Sequence, residues 1–116
     1  MSDKLKYLNC IDQNAELFTD LSDRIWEYAE LSLMEHRSAK LYCDTLSKLG
    51  FEVETPVAGI STAFKASYGS GKPVIGILAE YDALSGLSQQ AGVAQRKEIT
   101  SNGCGHGCGH NMLGAG

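Results

Sequence analysis

The stretch Ser101–Gly116 constrains this chain more than any other, because it concentrates the residues that bind metals. Two of the four cysteines and two of the three histidines fall here, each preceded by a glycine. The alternation runs Gly103, Cys104, Gly105, His106, Gly107, Cys108, Gly109 and His110. Thiolate and imidazole are strong ligands for zinc-like ions, and glycine permits tight turns that bring neighbouring side chains together. The pattern predicts a metal or catalytic loop, followed by the start of a helix at Asn111.

Composition narrows the class of protein. A chain of 116 residues, 43% of them hydrophobic, can form one small domain with a core. A net charge of −4 argues against a nucleic-acid partner. No apolar run approaches the roughly 20 residues of a membrane helix, and the start of the chain lacks the apolar segment of a secretory signal. We therefore expect a cytoplasmic protein without nucleic-acid or membrane partners, in which closely spaced Cys and His indicate a metal or catalytic site.

Two helices are predicted in the first half of the chain. Apolar residues recur at helical spacing from Asp3 to Leu31, which predicts one long helix. Ser32 and Glu35 match a capping box, so a second helix is expected from there to Leu49. Its expected buried face consists of Ala39, Tyr42, Cys43, Leu46 and Leu49. We interpret Cys10 and Cys43 as small hydrophobic residues and His36 as a surface or capping residue.

Strands are predicted in the second half. Phe51–Glu54 alternates apolar and polar residues, and Thr62–Tyr68 is a second candidate. Val74–Ala79 is continuously apolar, as expected of a central strand buried on both faces of an α/β sheet. Ser85–Thr100 has no clear period and is expected to be a loop.

Two carboxylates, Glu80 and Asp82, follow directly after the predicted buried strand. Open α/β sheets bind ligands at the carboxyl ends of their strands, so these side chains are candidates for a functional site. Strand-end carboxylates also commonly cap the next turn. The residues alone favour neither interpretation.

Four alternating donors in one short loop can hardly all reach a single tetrahedral ion, so two of them are expected to bind, with further ligands from elsewhere. Two other interpretations stay open. The loop 104–110 could form a small, non-enzymatic metal-binding module, or Cys104 and Cys108 could form a redox or structural pair.

Four stretches, in order, resemble the M20 metallopeptidase/amidohydrolase family, in the branch that contains N-acyl-amino-acid and aminobenzoyl-glutamate hydrolases. His106 with Cys108–Asn111 is similar to the family's H-x-C-G-H-[DN] motif. Glu30–Ala39 resembles its E-L-S-x-x-E-x-x-[ST]-A segment, and Leu49–Val53 resembles L-G-[FY]-x-V. Ala79–Leu84 resembles A-[DE]-x-D-A-L. The resemblance covers nearly the whole chain.

The resemblance implies the N-terminal part of an α/β/α sandwich catalytic domain, with two helices followed by strands of a mixed sheet. Residues 1–116 would be this portion, without the lid or dimerisation domain and the C-terminal half. Cys108 and His110 match the family's first two metal ligands, and Asp82 matches the carboxylate that supports the site. Asn111 stands where many members have Asp. Glu80, His106 and Cys104 receive no assigned role.

The implied chemistry is hydrolysis of an amide bond by a metal-activated water, with a Glu as general base. The implied cofactor is a divalent metal, Mn or Zn, with two ions in the full-length enzyme. Implied substrates are N-acyl amino acids, aminobenzoyl-glutamate-like compounds or dipeptides, and the full-length enzyme is expected to be a homo-oligomer. Because the general base and the other ligands match no position here, the chain alone is expected to be inactive. Asp82 is expected to steady a ligand by a hydrogen bond.

Overall fold

A computed structural model describes residues 2–116. In this part of the chain, four helices and a two-stranded sheet are found. Their bounds are α1 Asp3–Gln13, α2 Ala15–Tyr28, α3 His36–Lys48, β1 Glu52–Glu54, β2 Lys65–Ser67 and α4 His110–Ala115. The strands are antiparallel, with Val53 opposite Ala66. Helices with a small sheet agree with an α/β fragment, while the α/β/α sandwich stays a prediction. Within residues 2–116, no helix combines the length and the apolar character needed to cross a membrane.

The core lies between α2 and α3. Leu21, Ile25, Leu41 and Tyr42 are its buried members. The Tyr42 ring packs on Phe64 and Tyr81, with centroid distances of 5.8 and 5.1 Å. The Tyr81 hydroxyl donates a hydrogen bond to the carbonyl of Thr62, and burial raises the pKa of Tyr81 to about 12. The segment that precedes Asp82 is thereby attached to the core.

The prediction of one helix from Asp3 to Leu31 is wrong, because the helix breaks at Asn14. The Asn14 side-chain amide donates to the Cys10 carbonyl at 2.7 Å, and its backbone leaves the helical region at φ −108° and ψ 10°. Asparagine competes in this way with the helical backbone. Helix α1 buries no residue, so Cys10 is exposed and is not the buried hydrophobic residue we expected. Helix α2 ends at Tyr28, where Ala29 takes a left-handed conformation.

The predicted capping box at Ser32 and Glu35 is also wrong. Helix α3 begins at His36, and Glu35 precedes it without a side-chain capping hydrogen bond. The carboxylate of Glu30 does the capping instead. It accepts hydrogen bonds from the backbone N–H groups of Arg37 and Ser38 at 3.0 and 2.9 Å, and from the Ser38 hydroxyl at 2.8 Å. A carboxylate at this helix end satisfies free N–H groups and complements the helix dipole.

The buried face of α3 is only partly as predicted. Ala39 and Tyr42 are buried, Cys43 and Leu46 are half-buried, and Leu49 is 48% exposed. Burial raises the pKa of the Cys43 thiol, in keeping with its interpretation as a small hydrophobic residue. His36 is exposed, as predicted.

The first strand is confirmed, and the second is confirmed over a shorter range than Thr62–Tyr68. The prediction of a central buried strand at Val74–Ala79 is wrong for the described chain. Ile77 and Leu78 are 93% and 94% exposed, and within residues 2–116 no backbone hydrogen bond reaches 74–79. A strand is buried on both faces only when neighbouring strands and helices cover it, and the two-stranded sheet lies elsewhere. Ser85–Thr100 is irregular, as predicted.

Candidate metal and catalytic site

Backbone pairing brings the carboxylate segment to the Cys/His loop. The N–H of Ala83 donates to the Glu30 carbonyl at 2.7 Å, so residues 82–84 lie beside the end of α2. On the other side, Leu84 and Gly105 exchange two backbone hydrogen bonds of 3.0 and 2.9 Å. Residues 82–84 are therefore held between two segments that are distant in sequence, and Asp82 is fixed opposite the start of α4.

Gly105 is required by this close approach. A Cβ atom at this position would lie 2.0 Å from the carbonyl oxygen of Leu87 and 2.5 Å from its carbonyl carbon. Both contacts are far shorter than atoms tolerate, and backbone atoms cannot rotate away. From the sequence, the loop glycines were expected to let the ligands converge. At Gly105 the structure shows a packing reason instead.

The end of the loop turns into α4 as predicted, one residue earlier than expected. Gly109 has φ 75°, a left-handed conformation that glycine adopts without steric cost. His110 is the first residue of α4, and its side chain is directed back towards residues 80–82.

The structure brings Asp82 and His110 together. Nδ1 of His110 lies 2.7 Å from Oδ1 of Asp82, and the two side chains are 23% and 25% exposed. An ionised carboxylate only accepts hydrogen bonds, so Nδ1 is the donor in this contact and Nε2 is the ring nitrogen left outside it. A carboxylate that holds one ring nitrogen of a histidine is the usual partner of a metal-binding imidazole. Oε2 of Glu80, on a side chain that is 66% exposed, lies 3.4 Å from Nε2.

The other predicted ligand, Cys108, is not brought into this contact. Its thiol is free and exposed, and among residues 2–116 no hydrogen bond or ion pair reaches it. Likewise, in the described part of the chain no group of three or more His, Cys, Asp or Glu side chains is arranged to hold a metal ion. The imidazole of His110 and the thiolate of Cys108 are ligand types that suit a soft divalent metal. They supply only two ligands.

The side chain of His106 is hydrogen-bonded to α2. Its Nε2 lies 3.0 Å from the carbonyl oxygen of Ile25, and since a carbonyl only accepts, Nε2 carries the hydrogen. Nδ1 is buried and has no hydrogen-bond partner within residues 2–116. Burial lowers the pKa of the His106 imidazole. A self-contained site made of Cys104, His106, Cys108 and His110 is therefore not formed by the described side chains.

Asn111 has a structural role that the sequence did not reveal. It is 6% exposed, and its amide donates to Oγ and to the carbonyl oxygen of Ser22 at 3.1 and 3.4 Å. The side chain thus faces α2, and its hydrogen bonds go to Ser22 and not to a predicted ligand. Only the departure from the family's Asp hinted at a different role, and nothing in the sequence indicated Ser22 as the partner.

The chain is similar in sequence to proteins whose names state an activity. The chain is 48% identical over 106 residues to a subunit of p-aminobenzoyl-glutamate hydrolase from Escherichia coli (strain K12), covering 91% of this chain and 22% of the relative. It is 30% identical over 128 residues to Xaa-Arg dipeptidase of Homo sapiens, covering 95% and 24%. It is 32% identical over 111 residues to thermostable carboxypeptidase 1 of Saccharolobus solfataricus, covering 94% and 27%. No protein-family model matches the chain.

By their names these relatives are a hydrolase, a dipeptidase and a carboxypeptidase, which defines the class as peptidases and amidohydrolases. The resemblance to aminobenzoyl-glutamate hydrolases is confirmed over 91% of the chain, and assignment to the M20 family stays a prediction from the motifs. The chain spans roughly a quarter of the length of the curated relatives it matches, at 22%, 24% and 27%.

Proposed function

We propose that the chain contributes part of the active site of a metal-dependent amidohydrolase. The observation that carries this proposal is the 2.7 Å hydrogen bond between His110 Nδ1 and Asp82 Oδ1. It leaves Nε2 of His110 outside the contact with Asp82, as the ring nitrogen that would bind a metal, and the thiol of Cys108 lies two residues away in sequence. The similarity to a hydrolase and two peptidases supports the same conclusion independently.

Cys108 and His110 would hold the metal, and Asp82 would keep the His110 ring in the orientation and tautomer that binding requires. A thiolate with an imidazole suits zinc, and manganese is the second candidate. When bound, the divalent ion would activate water and polarise the carbonyl of the substrate. In a whole enzyme a second ion is expected. Further ligands and a general base would be needed, and the family motifs identify none of these among residues 1–116.

The proposed substrates are N-acyl amino acids, aminobenzoyl-glutamate-like compounds or dipeptides. These classes follow from the names of the relatives, which act on p-aminobenzoyl-glutamate, Xaa-Arg dipeptides or peptide carboxyl ends. The proposal places the whole enzyme in the cytoplasm as a homo-oligomer. The non-enzymatic metal-binding module gains no support from the structure, because His106 faces α2.

The chain alone is expected to hydrolyse nothing and to bind metal weakly. Two ligands leave an ion largely hydrated, whereas a catalytic site normally has about three protein ligands and an open position. The test is an assay of the purified 116-residue chain with manganese or zinc, beside the Escherichia coli relative, on p-aminobenzoyl-glutamate and N-acyl amino acids. Turnover comparable to that of the relative, and abolished by Cys108→Ala, would refute the expected inactivity.

Whether Cys108 and His110 bind the metal is tested separately from turnover. Zinc affinity should fall in Cys108→Ala and in His110→Ala, and it should be unchanged in Cys104→Ala, the matched control from the same loop. Loss of affinity in Cys104→Ala alone would favour the metal-binding module over the enzyme site.

A further inference from the structure

Two side chains, His106 and Asn111, join the Cys/His loop to α2 by three hydrogen bonds, with one side chain on each side of the predicted ligands. Before them, Nε2 of His106 contacts the Ile25 carbonyl at 3.0 Å. After them, the amide of Asn111 contacts Oγ and the carbonyl of Ser22 at 3.1 and 3.4 Å. Both links are long-range, spanning 81 and 89 positions. They place the intervening segment relative to a helix that belongs to the core.

The acceptors are rigid and buried. Ser22 and Ile25 lie three residues apart on one face of α2, and they are 8% and 0% exposed. Asn111 is itself 6% exposed. A buried polar group without a partner is costly, so the amide is held where these oxygens are. A carbonyl accepts and never donates, so this link requires a donor at position 111. An Asp there would set an anionic oxygen against the Ser22 carbonyl.

We propose that His106 and Asn111 are positioning residues that fix Cys108 and His110 relative to α2. This inference rests on the proposed function, since positioning has a purpose only if these two side chains bind a metal. Neither positioning residue touches the ion or the substrate. The Asp82–His110 contact then depends on two anchors: backbone pairing holds Asp82, and Asn111 holds the first turn of α4 that begins at His110.

The first test needs no metal. Nitrogen-15 NMR of the imidazole side chains in the 116-residue chain reports which ring nitrogen of His110 carries the hydrogen. Wild type should show a single Nδ1–H form held by Asp82. Asn111→Asp and His106→Leu should show averaging between the two tautomers. His106→Gln should restore the single form, because its amide can donate to the Ile25 carbonyl. The control is Leu113→Ala, an exposed residue of the same helix.

The second test is cobalt affinity, read from thiolate-to-cobalt absorption. Asn111→Asp and His106→Leu should bind Co²⁺ roughly 10–100-fold more weakly. Losses of this size are typical when a residue that orients a metal ligand is mutated. His106→Gln and Leu113→Ala should lie near wild type. If His106 only stabilised the fold, His106→Leu and His106→Gln would both lower stability. In that case His106→Gln would not restore the single His110 tautomer in the NMR spectrum.

The outcomes separate the two proposals. Unchanged His110 tautomers and unchanged cobalt affinity in both Asn111→Asp and His106→Leu would overturn the positioning role, even if Cys108 binds cobalt. Absence of thiolate–cobalt absorption in wild type would overturn the proposed function, and the metal-free His110 signal would still decide the positioning. Should Asn111→Asp fail to fold, the His106→Leu and His106→Gln pair decides.

Discussion

Gly105→Ala should be far more damaging than Gly107→Ala, although both residues belong to the same alternating loop. At Gly105 the new Cβ would lie 2.0 Å from the backbone oxygen of Leu87. The loop must move, and the two hydrogen bonds between Leu84 and Gly105 are lost. Each such bond contributes about 1 kcal/mol net, and forced overpacking costs about 1–3 kcal/mol. We expect a loss of about 3–5 kcal/mol in the free energy of unfolding.

Gly107 is the matched control, because neither glycine has a positive φ that would strain an alanine. A Cβ at Gly107 would meet Cδ1 of Leu87 at 2.5 Å, the flexible end of a side chain that can rotate away. The expected loss is below about 1 kcal/mol, partly offset by the lower entropy of the unfolded chain. Urea unfolding followed by circular dichroism measures both values. Equal losses, or a larger loss for Gly107→Ala, would refute the packing role of Gly105.

Three further changes have defined outcomes. Asp82→Asn should weaken Co²⁺ binding about 10–100-fold, or about 1.4–2.7 kcal/mol, because the His110 ring loses its anionic partner. An affinity within twofold of wild type would contradict this prediction. Glu30→Gln should lower the free energy of unfolding by about 1–2 kcal/mol through loss of the α3 cap, whereas the exposed control Glu27→Gln should change it by less than about 0.5 kcal/mol. Ile77→Asp should reduce self-association of the chain in sedimentation velocity, because it interrupts an exposed apolar run; a monomeric wild type would contradict that expectation.

Local patterns predicted the helical character of the first half of the chain and the two paired strands, and the errors in their bounds have local or tertiary causes. Apolar periodicity located α2 and α3, but it continued across Asn14, whose side chain satisfies the Cys10 carbonyl and ends α1. The cap of α3 was misassigned because Ser32 and Glu35 match a motif, while the true cap, Glu30, comes from the far side of a turn. Helix propensity and capping motifs do not indicate which of two nearby acidic residues, Glu30 or Glu35, will contact the first turn of α3.

The apolar run Val74–Ala79 shows a different limit. Its composition indicates a strand that needs cover on both faces, and composition cannot specify whether the cover is present. In the described chain nothing pairs with it, and Ile77 is 93% exposed. The sequence pattern therefore correctly indicated that this segment needs cover on both faces. It wrongly predicted that the segment is buried in the described chain.

The candidate site was predictable where a motif names the residues. Asp82 and His110 were named together from the family resemblance, and they form a hydrogen bond. The contacts of His106 and Asn111 with α2 could not be predicted, because each joins a loop residue to a helix more than 80 positions away. The metal-binding role of Cys108 and His110 stays a prediction.

A cobalt titration of the 116-residue chain tests the central claim most directly, because thiolate-to-cobalt absorption identifies a cysteine ligand without turnover. We predict weak binding of one Co²⁺ per chain, with thiolate absorption that disappears in Cys108→Ala and persists in Cys104→Ala. His110→Ala should weaken the binding further. Absorption that persists in Cys108→Ala and disappears in Cys104→Ala would contradict the assignment of Cys108 and His110 as the metal ligands.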